Sequence, residues 1–135
     1  PVLKELLIGD NLTSELNGNI VKVRETKNIS DAVLLATDHF GIGEYFDQGK
    51  FNELAKLVKL YRNWGDCYGY YLVATGFADI MIDPIMNIWD SMALIPVIKG
   101  AGGIITDYKG KNAITGTSII ASTPGIHSEI IKTLN

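Results

Sequence analysis

The most informative stretch of the chain is residues 89–103, which read Trp89-Asp90-Ser91-Met92-Ala93-Leu94-Ile95-Pro96-Val97-Ile98-Lys99-Gly100-Ala101-Gly102-Gly103. Asp90 stands directly before an apolar run, which predicts a buried helix over residues 91–99, bent in its middle by Pro96. A carboxylate at that point lies beside the unpaired N–H groups and the positive dipole end of a helix. Such a corner can hold an anion or, with further carboxylates, a metal ion that itself holds a phosphate.

Composition limits the classes of protein to which the chain can belong. The 135 residues are 47% hydrophobic and 20% charged, which indicates one globular domain. With a net charge of −3 and no cluster of Lys or Arg, we expect no nucleic-acid partner. No apolar run reaches the length of a membrane span, so we expect no membrane partner. The single cysteine, Cys67, excludes an internal disulfide and fits a reducing compartment, which favours the cytoplasm.

Short strands and helices alternate from residue 32 onward, which predicts a layered α/β domain. The predicted strands are residues 2–8, 20–23, 32–37, 78–82, 103–106 and 118–122. The predicted helices are residues 51–61, 66–74, 91–99 and a last helix after Pro124-Gly125, with a stripe of Ile126, Ile130, Ile131 and Leu134. Asn17-Gly18 predicts a type I′ hairpin turn, and residues 39–50, with three glycines, predict a loop. We therefore expect residues 1–25, without a helix, to belong to a neighbouring sheet, and residues 26–135 to form the α/β domain.

Two further motifs precede residues 89–103. One is Trp64-Gly65-Asp66-Cys67-Tyr68-Gly69-Tyr70-Tyr71-Leu72-Val73-Ala74-Thr75-Gly76, and the other is Ala78-Asp79-Ile80-Met81-Ile82-Asp83. Taken singly, Asp66 and Asp90 are ordinary helix caps and Asp83 is a turn residue before Pro84. Taken together and in this order, the three motifs resemble the signature of the inositol monophosphatase superfamily.

The resemblance implies a Mg²⁺-dependent phosphomonoesterase with the layered α/β fold of the family's C-terminal domain. Asp90 would be the catalytic metal ligand. Gly65, Asp66, Cys67 and Asp83 would contact the leaving group of a small phosphate monoester. Arg62 would lie near the substrate or at the contact of a homodimer, although a solvated charge explains it equally well.

The metal site that the resemblance implies is incomplete in this sequence. Asp83-Pro84-Ile85 resembles the start of the family's main metal motif, Asp-Pro-Ile-Asp-Gly-Thr, but Met86, Asn87 and Ile88 break it, so Asp83 is not that ligand. The other ligands belong to the family's N-terminal half. We therefore expect this chain to be a fragment that starts with the terminal strands of the N-terminal domain, is inactive alone, and works when joined to the missing half.

The motif details favour the histidinol-phosphatase branch. Histidinol carries an ammonium group and a protonatable imidazole, so its pocket should present extra carboxylates, which Asp66 and Asp83 would supply. Inositol monophosphate is the alternative substrate. A phosphate-ester-binding protein without hydrolysis and an assembly module are the alternatives from other classes. His39 and His127 lack ligand partners at zinc spacing, and His127 is expected on a surface helix.

Overall fold

The computed structural model describes residues 3–135, which form two β-sheets and six α-helices. The strands are β1 (Leu7–Gly9), β2 (Ser14–Leu16), β3 (Asn19–Ile20), β4 (Val33–Ala36), β5 (Leu60–Asn63), β6 (Ile80–Asp83), β7 (Ile104–Thr106) and β8 (Ile119–Ser122). The helices are α1 (Ile42–Tyr45), α2 (Gln48–Leu57), α3 (Asp66–Ala74), α4 (Ile88–Ser91), α5 (Leu94–Gly100) and α6 (His127–Leu134). In residues 3–135 no helix has the length and apolar character needed to cross a membrane.

The small sheet is an antiparallel meander in the order β1-β2-β3. Asn17 and Gly18 join β2 to β3 with φ angles of 51° and 79°, which confirms the predicted turn. The predicted strand over residues 2–8 is wrong in its bounds, because β1 begins at Leu7, while residues 1 and 2 lie outside the described part. The return strand ends at Ile20 rather than residue 23, because the Val23 N–H donates to the Ala101 carbonyl at 2.9 Å.

The large sheet has the order β5-β4-β6-β8-β7, in which β5, β4 and β6 are parallel and β8 and β7 are antiparallel to their neighbours. Side chains alternate between its two faces, as the pleat requires. Ile80 and Ile82 pack with α2 and α6 on one face, and Met81 packs with α3 and α5 on the other. This three-layer arrangement confirms the predicted α/β fold.

Elements with strong local signals follow the sequence prediction. The observed bounds lie within about two residues of the predicted ones for four strands, β4, β6, β7 and β8. Helix α3 has the bounds that were predicted for it. Helix α6 also forms as expected. Of the predicted stripe, Ile130 and Leu134 in α6 and Ile126 just before it are buried, and Ile131 is half-buried and packs against the same core.

The region between β4 and α3 differs from the prediction. The expected loop over residues 39–50 contains α1 and the start of α2, because Asp47 Oδ1 accepts from the N–H groups of Gly49 and Lys50 and caps that helix. The expected helix over residues 51–61 ends at Leu57. Tyr61 lies instead in the edge strand β5, which pairs with β4.

The helix expected over residues 91–99 is two helices, α4 and α5. Asn87 is the N-cap of α4, and Asp90 is its third residue and closes a capping box. Pro96 falls in the first turn of α5, where its missing N–H costs no hydrogen bond, so it does not bend a helix interior. The region is not buried all round, because Trp89 is 75% exposed and Met92 is 46% exposed.

His127 is a further correction. It begins α6 but is buried, with Nδ1 2.7 Å from Ser122 Oγ and Nε2 3.0 Å from Thr106 Oγ1. The prediction of a surface position was wrong because α6 meets the sheet through its first residue as well as through its apolar stripe.

Candidate active site

A cleft of about 510 Å³ opens at one edge of the large sheet. Strands β4 and β6 are parallel, so Thr37, which directly follows β4, and Asp83, which ends β6, meet at this edge. Helices α3 and α4 begin nearby and bring Asp66 and Asp90 to the same cavity. The lining residues are Thr37, Asp66, Cys67, Asp83, Ile85, Met86, Asp90 and Leu94. The fold thus gathers three carboxylates that are well separated in sequence.

Gly65 allows α3 to start against the end of β4. A Cβ atom at Gly65 would lie 2.2 Å from Thr37 Cα, so only glycine fits this approach. The next residue, Asp66, has a φ of 53° and donates its backbone N–H to Thr37 Oγ1 at 3.0 Å. Asp tolerates this left-handed conformation better than most residues do. The close contact therefore fixes the Asp66 backbone at the cleft.

Asp83 is the most enclosed of the three carboxylates, with 5% of its surface exposed. The Tyr70 phenol donates to Asp83 Oδ2 at 2.7 Å. Burial raises the pKa of Asp83 above its usual value, and the charge of Asp66 adds to this, whereas the hydroxyl groups of Thr37 and Tyr70 act in the opposite direction. A cation entering the cleft would stabilise the ionised form of Asp83.

Asp90 is exposed and lies in the first turn of α4. Its Oδ2 accepts from the Asn87 N–H at 3.2 Å, so the capping box holds the side chain in place. The sequence argument assumed a long helix behind Asp90. Because α4 has only four residues, its dipole contributes little, and position rather than dipole makes Asp90 available to a ligand.

The donor chemistry of Asp90 fits Mg²⁺, which prefers carboxylate oxygens. However, no group of three or more His, Cys, Asp or Glu side chains in residues 3–135 is arranged to hold a metal ion. Asp90 therefore offers one ligand, and an octahedral Mg²⁺ would need its further protein ligands from outside the described residues.

The other three predicted site residues, Cys67, Arg62 and Gly65, differ in their surroundings. Cys67 lines the cleft as an exposed free thiol. Arg62 is exposed on the edge strand β5, donates from Nη1 to the Tyr61 carbonyl at 2.8 Å, and does not line the cleft. Gly65 lies behind the lining, where it positions Asp66.

Sequence reasoning missed Thr37 and Tyr70. Thr37 ends a strand that was predicted, and residues at the carboxyl ends of parallel strands commonly build sites, so it could have been found. Tyr70 lies on a predicted helix, and a buried tyrosine usually needs a partner for its hydroxyl group. No sequence pattern identifies that partner as Asp83, because the contact depends on how α3 crosses β6.

Comparisons with known proteins agree with this fold. The sequence model described as "Inositol monophosphatase family" matches residues 1–135. The bifunctional phosphatase IMPL2, chloroplastic, of Arabidopsis thaliana is 33% identical over 99% of this chain and 42% of its own length. A histidinol-phosphatase of Chlorobaculum parvum is 31% identical over 88% of this chain and 46% of its own length.

Solved structures show the same similarity. An inositol monophosphatase from Anabaena (Nostoc) sp. PCC 7120 superposes with a TM-score of 0.86 at 26% identity, covering 99% of this chain and 55% of that one. The chain thus spans about half the length of the relatives that it matches.

Proposed function

This chain belongs to the inositol monophosphatase family, and from that premise we propose that it forms the C-terminal part of a Mg²⁺-dependent phosphomonoesterase whose substrate is histidinol phosphate. The observation that carries the proposal is the cleft itself, where Asp66 and Asp83 accompany Asp90. A substrate with an ammonium group and a protonatable imidazole would be attracted to such a site. The relative named histidinol-phosphatase supports the same substrate.

The residues divide into two roles in this proposal. Asp90 would hold the metal together with ligands from the remaining part of the protein. When bound, Mg²⁺ activates a water molecule and neutralises charge on the phosphate. Asp66 and Asp83 would bind the cationic leaving group and orient the ester, Cys67 would contact the leaving group, and Gly65 keeps the Asp66 backbone in place.

The proposal also covers the assembly of the enzyme. We expect activity only when the other half of the protein is present, because one carboxylate cannot by itself hold a Mg²⁺ ion in a fixed geometry. The exposed position of Arg62 on β5 favours its role as a contact in a homodimer over a role in substrate binding.

Inositol monophosphate is the second candidate substrate. The oxygens of Asp66 and Asp83 could accept hydrogen bonds from the hydroxyl groups of a neutral polyol. The Anabaena structure is named an inositol monophosphatase and supports this candidate. Either ester would occupy the same cleft.

Phosphate release by the full-length protein separates the candidates. We expect Mg²⁺-dependent hydrolysis of histidinol phosphate, and a loss of about 100-fold or more in kcat for Asp90→Asn with both esters. Asp66→Ala should raise KM for histidinol phosphate by roughly tenfold or more and affect inositol 1-phosphate much less. The control Glu53→Gln, exposed on α2 and outside the cleft, should leave both reactions unchanged.

Two results would contradict the proposal. If Asp66→Ala had an equal effect on the two esters, Asp66 would not recognise the cationic group of histidinol. Inositol monophosphate would then be the better candidate substrate. No phosphate release from either ester would exclude both candidate substrates.

A further inference from the structure

Asp83 lies at the boundary between the cleft and a second cavity, which it lines together with Thr37 and Ile85. That cavity measures about 210 Å³ and is lined by Thr37, Asp38, Gly41, Glu44, Tyr45, Asp83, Pro84 and Ile85. Since only 5% of Asp83 is exposed, its carboxylate offers little surface to either cavity. The orientation of the Asp83 carboxylate therefore determines which ligand groups it can bind.

Tyr70 controls that orientation from the core side. The ring is 1% exposed and belongs to the buried cluster that includes Leu35, Val73 and Met81, so it has no room to change rotamer. Its hydroxyl group donates to Asp83 Oδ2 at 2.7 Å. Because the Tyr70 phenol cannot move, its hydrogen bond restricts the rotation of the Asp83 carboxylate about χ2.

The close approach of α3 to β6 makes the contact possible. A Cβ atom at Gly69 would lie 2.4 Å from Met81 Sδ, so the absence of a side chain lets the helix lie near the strand. Burial and the neighbouring Asp83 raise the pKa of Tyr70 well above 10, so the phenol stays protonated and always donates. A hydrogen bond from a buried donor to an ionised carboxylate is among the stronger ones in proteins.

We infer that Tyr70 is a positioning residue for substrate selection, whose phenol fixes the Asp83 carboxylate to receive the cationic part of the leaving group. This inference rests on the proposed function and deepens it. Tyr70 itself does not line the cleft, so it acts through Asp83. Its loss should weaken binding of a cationic ligand without a matching loss in the chemical step.

The test compares Tyr70→Phe with Tyr108→Phe in the full-length protein. Tyr108 is a matched control, because it is 2% exposed and its hydroxyl group has no hydrogen-bond partner in residues 3–135. We expect Tyr70→Phe to raise KM for histidinol phosphate and Kd for histidinol, measured by calorimetry, by roughly tenfold. The kcat and the KM for inositol 1-phosphate should change much less, and Tyr108→Phe should change none of these.

A double-mutant cycle distinguishes positioning from a purely structural role. In an Asp83→Asn background, Tyr70→Phe should have little further effect on Kd for histidinol, because the group that it positions has lost its charge. Weaker binding of histidinol by the double variant than by Asp83→Asn alone would overturn the inference, because Tyr70 would then act independently of the Asp83 charge.

The remaining outcomes separate this inference from the proposed function. If the wild type hydrolyses or binds its cationic ligand and Tyr70→Phe leaves Kd unchanged, the role of Tyr70 is wrong and the proposed function stands. If the wild type neither hydrolyses histidinol phosphate nor binds histidinol, both are wrong.

Discussion

His127 is held between two hydroxyl groups at the start of α6. Ser122 Oγ lies 2.7 Å from Nδ1 and Thr106 Oγ1 lies 3.0 Å from Nε2, so a neutral imidazole can accept at one nitrogen and donate from the other. Burial lowers the pKa of His127 from 6.5 to about 4. The fold therefore favours the uncharged ring.

This environment predicts a stability that depends on pH. Between pH 6.5 and about 4 the unfolded chain protonates His127 and the folded chain does not, so the free energy of unfolding falls as pH falls through this window. Above pH 6.5 the contribution is constant, and below about 4 the loss levels off at roughly 3 kcal/mol. Urea unfolding at pH 7.5, 5.5 and 4.5 should show this slope in the wild type and a weaker one in His127→Gln. If the free energy of unfolding had the same pH dependence in the wild type and in His127→Gln, the assigned role of His127 would be wrong.

At the scale of single elements, the junction between β4 and α3 is the tightest at the cleft. Gly65→Ala would place a methyl group 2.2 Å from Thr37 Cα, which a side-chain rotation cannot relieve. We expect a loss of about 1–3 kcal/mol in the free energy of unfolding. We also expect weaker substrate binding, because Asp66 must move with the backbone. Chemical denaturation and KM values measure the two effects.

Gly43→Ala is the matched control. Gly43 lies in α1, and its added Cβ would meet only the flexible Gln48 side chain, with Oε1 at 3.1 Å. Alanine is the better helix former, so this variant should be as stable as the wild type or slightly more so. If both glycine variants behave alike, the close contact at Gly65 has no special role.

The elements that could be predicted from the sequence are those with a complete local signal. Helix α3 has a polar start and a glycine end, and the hairpin has Asn17-Gly18. Strand β5 was missed because Tyr61 falls at helical spacing from the apolar residues of α2, and only its pairing with β4 makes it a strand. The start of α4 at Ile88 was missed because its capping box, formed by Asn87 and Asp90, comes before the apolar run on which the helix prediction was based.

The sequence predicted the three carboxylates of the candidate site, but it did not predict the residues that hold them in position. Asp66, Asp83 and Asp90 belong to motifs that can be recognised along the chain, and the fold brings all three to one cleft. Thr37 and Tyr70 approach them only through strand order and helix packing. The division into residues 1–25 and 26–135 stays a prediction, as do the roles of the site residues.

At the scale of the whole molecule, the small sheet presents apolar residues to solvent. Ile8 and Ile20 both pair with Glu15 across the strands, so they lie on one face, and they are 59% and 65% exposed. We expect this 135-residue chain to self-associate as its concentration rises, because apolar side chains around unpaired strand edges favour contact between copies.

Sedimentation velocity checks this expectation. The double variant Ile8→Lys/Ile20→Lys should shift the chain toward monomer, and Lys59→Glu, an exposed change away from the small sheet, should not. If the wild-type chain stayed monomeric at all concentrations tested, the exposed apolar face of the small sheet would not drive self-association.

Helix α5 is shared by the two sheets. Gly9 and Gly100 have no side chains where the small sheet meets it, and Ser14 Oγ donates to the Val97 carbonyl at 2.6 Å, while Ile95 and Ile98 pack on the large sheet. Close-packed contacts of this kind do not compress. We therefore expect a substitution that tilts the small sheet to displace α5 and, through it, the preceding helix α4 that carries Asp90. The position of Asp90 would then depend partly on packing at the opposite side of α5.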